Sequence, residues 1–418
     1  MLEESKIREI LGQWKAFWKK EIIHREIADK ISKSISKEII DLVGVRRSGK
    51  STTLALIIKK LKLDEEDVLY VNFEDPAFVN YYGLELLDKI WEAYNIEVNP
   101  KKKPYLFFDE IQVIPRWEKW VRKIRDLELA HVFVTGSSSK LLSKEFGTAL
   151  TGRHLSFTVY PLSFGEYIRF KGLKIPKPLH EKKVALKRAL KSYLIGGGFP
   201  EVTLTGNQDL LKDYFEDILY KDIVLRHEIR DVNSLRKLAN FCMTNISSPI
   251  TYNSIKKQYG LSLDSVRSYL SYMEEAFLLF LVPVFSYSLK VQEFSPKKVY
   301  CIDNGLRNAV SFKFSKDEGK LAENLVFLEL KRRGKEVYYW KGKNEVDFVL
   351  NERGGSLVAI NVTYSDNIEK RELDSLKEFK DKFTNKAGRL ILLTKDLEKK
   401  EGCIEFIPLW KWLSEGEA

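Results

Sequence analysis

Residues 38–53 read EIIDLVGVRRSGKSTT, and no other stretch of the chain constrains its fold as tightly. Gly44 and Gly49 bracket four residues, and Lys50 and Ser51 follow, which completes the spacing G-x-x-x-x-G-K-[ST]. The apolar run Ile39 to Val43 before the loop predicts a buried strand. Behind it, Leu54, Ile57, Ile58 and Leu61 recur at helical spacing. A strand, a glycine turn and a helix in that order aim backbone N–H groups and the positive end of a helix at one point, where phosphate is favoured. Gly44, Arg47, Ser48, Gly49, Lys50, Ser51 and Thr52 are therefore expected to cradle a nucleoside triphosphate. Lys50 would reach its β/γ-phosphates and the Ser51 hydroxyl would ligate Mg²⁺, so ATP and Mg²⁺ are the expected cofactors.

A triphosphate site needs a second strand to hold the metal. Pro104 to Phe108 is a continuous apolar run that ends in Asp109-Glu110. Asp109 is expected to hold Mg²⁺ at the carboxyl end of a buried strand, and Glu110 to activate the attacking water as general base. A third strand, His131 to Thr135, ends in TGSSS, which makes Thr135 or Ser137 a polar sensor of the γ-phosphate. A further strand, Asp67 to Phe73, would bring Asn72, Glu74 and Asp75 to the cleft. Arginine commonly stabilises charge on a transferring phosphoryl group. Arg153, in LTGRH, is the first candidate. Arg122 and Arg125 lie on the predicted helix Trp117 to Leu129, where arginines are more often simply solvated.

At 418 residues the chain is too long for a single core and should form two or three domains. A formal charge of +11 points to a polyanionic partner, and DNA is the expected one. Charged residues reach 31%, mostly Lys and Glu with few Gln, a balance that leans toward a thermophile. Cys242, Cys301 and Cys403 are far apart and read as buried thiols in a reducing compartment. The histidines show no metal-ligand spacing, so zinc is not expected. MLEESKIREI lacks the apolar core of a signal peptide. The greasiest segment, Ala276 to Phe285, contains Pro283 and is about half the length that spans a bilayer. A cytoplasmic, soluble protein without a membrane partner is expected.

Residues before Glu38 form an amphipathic helical lead-in with Trp14, Phe17 and Trp18 on its apolar side. Strands and helices then alternate to about Tyr160, which predicts a parallel α/β sheet covered on both faces. From Pro161 the pattern turns helical, and Glu181 to Asn245 reads as a helical lid, interrupted at Gly196-Gly197-Gly198-Phe199-Pro200. Thr251 to Tyr287 predicts a winged helix-turn-helix, with Asn253 capping a first helix, Gly260 making the turn and Asp264 capping a second. Lys256, Lys257, Arg267, Tyr269, Lys297 and Lys298 are the candidate DNA contacts. From Pro296 on, alternation resumes as a separate α/β domain.

Together these features resemble a family of AAA+ ATPases widespread in archaea and bacteria. The resemblance rests on GVRRSGKST, the strand ending FFDEIQ with Trp117 after it, VTGSSS, TGR–PLSFGEY, GGFPE and KVYCIDNGL, in that order. It implies an α/β fold: an AAA+ core with its lead-in helix over 1–165, a helical lid over 166–246, a winged helix over 247–295 and a PD-(D/E)xK nuclease-like domain over 296–418. It also implies ATP hydrolysis through Lys50, Ser51, Asp109 and Glu110. Arg153 would act in cis or from a neighbour, and homo-oligomers are expected. The nuclease pattern would place Glu323 on a helix and Asp347 on a strand, followed by Glu-x-Lys. Asn361 and Thr363 stand at those last two positions, so the rear domain is expected not to cleave. Three functions compete on this reading. The leading one is an ATP-driven DNA motor or remodeller, with branched or forked DNA among its substrates. The others are a nucleotide-dependent switch or scaffold with a protein partner, and an active ATP-dependent nuclease.

Overall fold

The computed structural model describes residues 4–137, 152–311, 317–352 and 354–415, and the chain divides into two compact units, Met1–Tyr160 and Pro161–Ala418. Ser138 and Ser139 of TGSSS, and Leu150 and Thr151 of LTGRH, lie outside the described residues.

The first unit is built on a five-stranded parallel sheet. Its strands β1 (Ile39–Val43), β2 (Val68–Asn72), β3 (Tyr105–Asp109), β4 (His131–Gly136) and β5 (His154–Thr158) lie in the order β2-β3-β4-β1-β5. Every residue of β1 is buried, which is why IIDLV shows no alternation: a parallel strand covered on both faces reads as one apolar run. Its one charge, Asp41, is satisfied by β5 alongside, through His154 Nδ1 at 2.8 Å and the Ser156 hydroxyl, which donates at 2.5 Å.

The lead-in is two helices, α1 (Glu4–Lys19) and α2 (Glu26–Ser32), rather than one. Trp18, Ala28 and Ile31 from them join Leu54, Ile57 and Ile58 of α3 (Lys50–Leu61) in a core against β1 and β4. Helices α4 (Leu84–Val98) and α5 (Trp117–Asp126) are tied by Trp120 Nε1, which donates to Asp88 at 2.7 Å. α5 ends before Leu129 because Glu128 adopts φ +52, outside helical space.

In the second unit, Ser163 and Glu166 form a reciprocal capping box that opens the helix Phe164–Phe170. Helices Leu179–Gly196, Pro200–Thr205, Leu210–Asp217 and Val232–Thr244 follow, with a π-helical stretch at Ile218–Val224. Next come β6 (Ser248–Ile250), helices Tyr252–Tyr259 and Leu263–Glu275, β7 (Leu279–Val282), helix Leu289–Phe294 and β8 (Lys297–Cys301). The strands form an antiparallel sheet in the order β6-β8-β7.

Gly260, at φ +67, makes the turn between the two helices as expected. The caps are not the expected ones. Thr251 and Ser262, both in extended conformation, accept the N–H groups of Ser254 and Ser265. Asn253 and Asp264 already lie inside the helices, where a side chain can no longer serve as N-cap.

The rear sheet has six strands: β9 (Val337–Lys341), β10 (Glu345–Asn351), β11 (Leu357–Thr363), β12 (Ala387–Thr394), β13 (Lys399–Glu401) and β14 (Ile404–Pro408). β9, β10 and β11 pair antiparallel, whereas β11, β12 and β14 run parallel. Helix Lys370–Lys382 buries Leu376 and Phe379 in the core of this sheet.

The motifs GGFPE and CIDNG meet inside this unit. Asp303 accepts the Gly198 N–H at 2.6 Å and the Leu306 N–H at 2.9 Å. A Cβ on Gly197, which has φ +74, would sit 2.1 Å from Asp303 Oδ1. Glycine is thus required there by the approach of the carboxylate. Cys242 and Cys301 are buried as expected, but Cys403 is exposed on the turn between β13 and β14. Among the described residues no helix is long and apolar enough to cross a membrane.

Candidate functional site

The loop after β1 has the geometry that a phosphate cradle requires. Gly44 has φ +147, and a Cβ there would lie 2.3 Å from the Val159 carbonyl oxygen, so the strand's exit leaves no room for a side chain. Gly49 caps α3 at φ +97 in the left-handed region. Ser48 is buried and its Oγ has no hydrogen-bond partner among the described residues. Lys50, only 4% exposed, donates to the carbonyls of Gly44 at 3.2 Å and Val45 at 3.3 Å and pairs with Glu110 at 3.4 Å. Ser51 and Thr52 open α3 half-buried, and Arg47 is exposed with φ +68.

At the end of β3 the carboxylates differ in environment. Asp109 accepts the Thr135 hydroxyl at 2.5 Å and the Tyr70 hydroxyl at 3.1 Å. The Glu110 N–H in turn donates to Thr135 Oγ1 at 2.9 Å. One hydroxyl on β4 therefore fixes both acidic residues. Burial, and next the charge of Glu110, push the Asp109 carboxyl up to about 6, while hydrogen bonds from Ser51 and Thr135 pull the other way. Burial also opposes the Glu110 carboxylate, but Lys50, Gln112 and Arg46 outweigh it and hold Glu110 below its usual range. Glu110 has φ +51 and takes a 2.6 Å hydrogen bond from Gln112 Nε2.

These features fit a triphosphate with Mg²⁺. The orphaned Ser48 hydroxyl and the left-handed turn of Gly49 into α3 suit close approach of phosphate oxygens. The buried Asp109 beside the half-buried Ser51 suits a divalent cation, which would offset the cost of burying the carboxylate.

Residues outside the expected set also build the site. Tyr70, from β2, braces Asp109. Arg46 pairs with Glu74 at 3.1 Å, which brings the end of β2 to the loop. Asp75 does not line the cleft: it caps the following turn and accepts Trp14 Nε1 at 3.0 Å. Arg25, 4% exposed at the start of α2, donates to the carbonyls of Ser48 at 2.9 Å and Tyr160 at 2.8 Å. A lone arginine in a helical lead-in gives no sequence signal. Only the tertiary fold brings it under the loop.

Arg153 is not beside its own phosphate loop, which corrects the expectation of a role in cis. Its carbonyl accepts the Ile39 N–H, and His154 pairs with Ile39 in parallel register. Arg153 therefore stands at the amino end of β1, and the loop leaves from the carboxyl end, about 16 Å away. There Arg153 pairs with Asp126 at 3.3 Å, beside Arg125, which pairs with Glu38 at 2.8 Å. Arg122 pairs with Asp126 at 3.3 Å.

In the second unit Lys256, Lys257 and Arg267 are exposed, and Lys297 and Tyr269 are half-buried. Lys298 is the exception and corrects its assignment as a DNA contact. It is 1% exposed and pairs with Glu323 at 3.0 Å, Glu345 at 2.7 Å and Asp347 at 3.0 Å. Successive residues of β8 face opposite ways, so of two adjacent lysines only one reaches solvent.

The structure thus brings Glu323 and Asp347 together, with an ammonium supplied from β8 instead of β11. Burial, then Asp347, pushes the Glu323 carboxyl up to about 8, and the Tyr300 hydroxyl donates to it at 2.6 Å. Asn361 accepts the Asp347 N–H at 3.1 Å and donates to Ser375 Oγ at 2.7 Å and Glu372 at 3.0 Å. Thr363 ends β11 opposite Thr394.

Fold and loop define a P-loop protein with an AAA domain. Residues 36–168 match the family described as AAA domain, and residues 187–317 and 318–412 match two domains of unknown function, DUF8612 and DUF4143. The chain is 36% identical over 417 residues to the uncharacterized protein MJ1544 of Methanocaldococcus jannaschii, covering 94% of this chain and 91% of that one, and it belongs to the same family. An uncharacterized protein of Haemophilus influenzae is 28% identical over 88% of this chain and 92% of its own length. The structure of AMPPCP-bound DnaA from Aquifex aeolicus overlaps 60% of this chain and 86% of its own at 15% identity and TM-score 0.27, a likeness too slight to bear on function.

Proposed function

We propose that the chain is an Mg²⁺-dependent ATP hydrolase of the AAA+ type that couples turnover to binding and remodelling of DNA. The observation that carries this reading is the triad of Asp109, Glu110 and Thr135 set against Lys50. Lys50 and the loop N–H groups bind the phosphate charge, and Ser51 and Asp109 would hold Mg²⁺. Bound there, Mg²⁺ supplies charge neutralisation on the triphosphate. Glu110, ionised by the cations around it, accepts the proton of the attacking water. Arg153, at the amino end of the strands whose carboxyl end carries the loop, reaches a phosphate only on a neighbouring copy, which is why a homo-oligomer belongs to the proposal.

For DNA, the support is the basic balance of the chain and the exposed Lys256, Lys257 and Arg267 on the two helices after β6. Residues 166–246 act as lid, 247–295 as winged helix and 296–418 as a nuclease-like domain that does not cleave. In that last domain the Lys298 ammonium already occupies the midst of Glu323, Glu345 and Asp347, and Asn361 is fully engaged within the fold.

The test is ATP turnover measured without DNA and with single strands, duplex and four-way junctions, with Lys50→Ala as control. Stimulation by DNA that fades with salt is expected. Slow turnover indifferent to every DNA would favour a nucleotide switch with a protein partner. Cleavage that requires Mg²⁺ or Mn²⁺ and is lost in Asp347→Ala would make the rear domain a nuclease.

A further inference from the structure

An open cavity of 590 Å³ lies where the start of helix Tyr252–Tyr259, helix Leu263–Glu275 and the end of helix Leu289–Phe294 converge, and its wall includes Tyr252, Arg267, Phe294 and Lys297. Its size falls within the ~300–1,000 Å³ range of ligand pockets. Phe294 is 73% exposed, an unusual position for a phenyl ring. Around Tyr252, the Arg267 guanidinium lies 6.0 Å and the Lys297 ammonium 5.7 Å from the ring centroid, so two cations are held at the wall. Thr251, Asn253 and Ser295 add hydrogen-bonding groups, and Glu293 is the one acidic side chain of the lining.

We propose that this cavity takes an unpaired base of single-stranded nucleic acid, stacked on Phe294, with Arg267 and Lys297 on the adjoining phosphates. The inference rests on the reading that the chain binds DNA, and it names the form of DNA bound. A duplex keeps its π-faces inside the base stack and offers an exposed phenyl ring nothing. A single strand presents both a ring to stack and a charged backbone at short spacing, which is the combination of aromatic and cation found here. An apolar protein segment would satisfy Phe294 but brings no anion to the two cations, against which the lining itself sets only Glu293.

The experiment uses the full chain and fluorescence anisotropy with a labelled oligo-dT of about 12 nucleotides, an abasic strand of the same length and a duplex, all at one salt concentration. Oligo-dT is expected to bind at least about 10-fold tighter than the abasic strand. Phe294→Ala should remove that difference and leave duplex binding unchanged, and Phe294→Tyr should retain it. Because Phe294 is exposed, neither variant threatens folding. Equal affinity for oligo-dT and the abasic strand overturns the inference, as does a preference that survives Phe294→Ala. If duplex still binds in those cases, the DNA reading stands without the base pocket. Failure to bind any of the three overturns both.

Discussion

The Thr135 hydroxyl donates to Asp109 at 2.5 Å while its oxygen accepts the backbone N–H of Glu110 at 2.9 Å. One side chain on β4 thus fixes both acidic residues, to which the proposal gives the metal and the proton of the attacking water. Thr135→Val preserves shape and removes both bonds. It is expected to lower kcat for ATP by about 10- to 100-fold, and to leave binding of an ATP analogue within a few-fold. Steady-state kinetics alongside a fluorescent-nucleotide titration checks the split.

Arg25 lies under the loop, with its guanidinium on the carbonyls of Ser48 and Tyr160. Removing it leaves buried acceptors unpaired, at a cost of about 1–3 kcal/mol. Arg25→Ala should therefore lower the melting temperature and weaken ATP binding by roughly 10-fold, and excess nucleotide should recover part of the lost stability. Thermal melts across an ATP titration read both effects.

Arg153 and the phosphate loop lie at opposite ends of the neighbouring strands β5 and β1. If Arg153 serves a neighbouring copy, Arg153→Ala and Lys50→Ala are each inactive alone but recover turnover when mixed. About one quarter to one half of wild-type activity is expected in an equimolar mixture, given an arginine worth about 10³-fold or more. Mixing that recovers nothing removes the arginine from the site.

Adjacent lysines on β8 have opposite fates. Lys298→Met leaves the buried Glu323 and the half-buried Asp347 without their cation, while Glu345 keeps Lys341, and should destabilise the protein by about 3–5 kcal/mol. Lys256→Glu with Lys257→Glu, on an exposed helix face, should alter stability by no more than about 0.5 kcal/mol yet weaken DNA binding and flatten its salt dependence. Chemical denaturation and salt-titrated binding separate the two.

Glu274 accepts the Leu281 N–H at 2.8 Å, and burial pushes its carboxyl up to about 7 from its ordinary 4.5. The folded protein therefore holds this proton more tightly than the unfolded chain. The stability it confers is complete below the unfolded value and is lost as pH rises through 7. Glu274→Gln keeps an acceptor for Leu281 and cannot ionise. It should flatten the decline between about pH 4.5 and 7 and be the more stable form at pH 7 by about 1–2 kcal/mol. Denaturation midpoints at the two pH values decide it.

Legibility from sequence followed the reach of each signal. β1 and the loop after it were readable because parallel-strand burial and phosphate binding both write local patterns, and β3 ending in Asp109-Glu110 follows the same rule. Tyr70 and Arg25 were not, since each acts across the fold and nothing in its neighbourhood in sequence marks its role. Lys298 was misassigned for a related reason. A lysine on a strand reads as solvent-facing until the carboxylates opposite it, 25 to 49 residues on, are known. Arg153 follows β4 in sequence but leads into β5, and the direction of that strand puts it at the end of the sheet away from the loop.

The central claim is that Glu110 drives hydrolysis on a loop that Lys50 and its neighbours form for ATP. The most direct measurement is the turnover of Glu110→Gln against wild type under saturating Mg²⁺ and ATP, with nucleotide binding followed in parallel. A loss of at least about 100-fold in turnover, with ATP still bound, is the predicted result. Hydrolysis by Glu110→Gln at the wild-type rate contradicts the account.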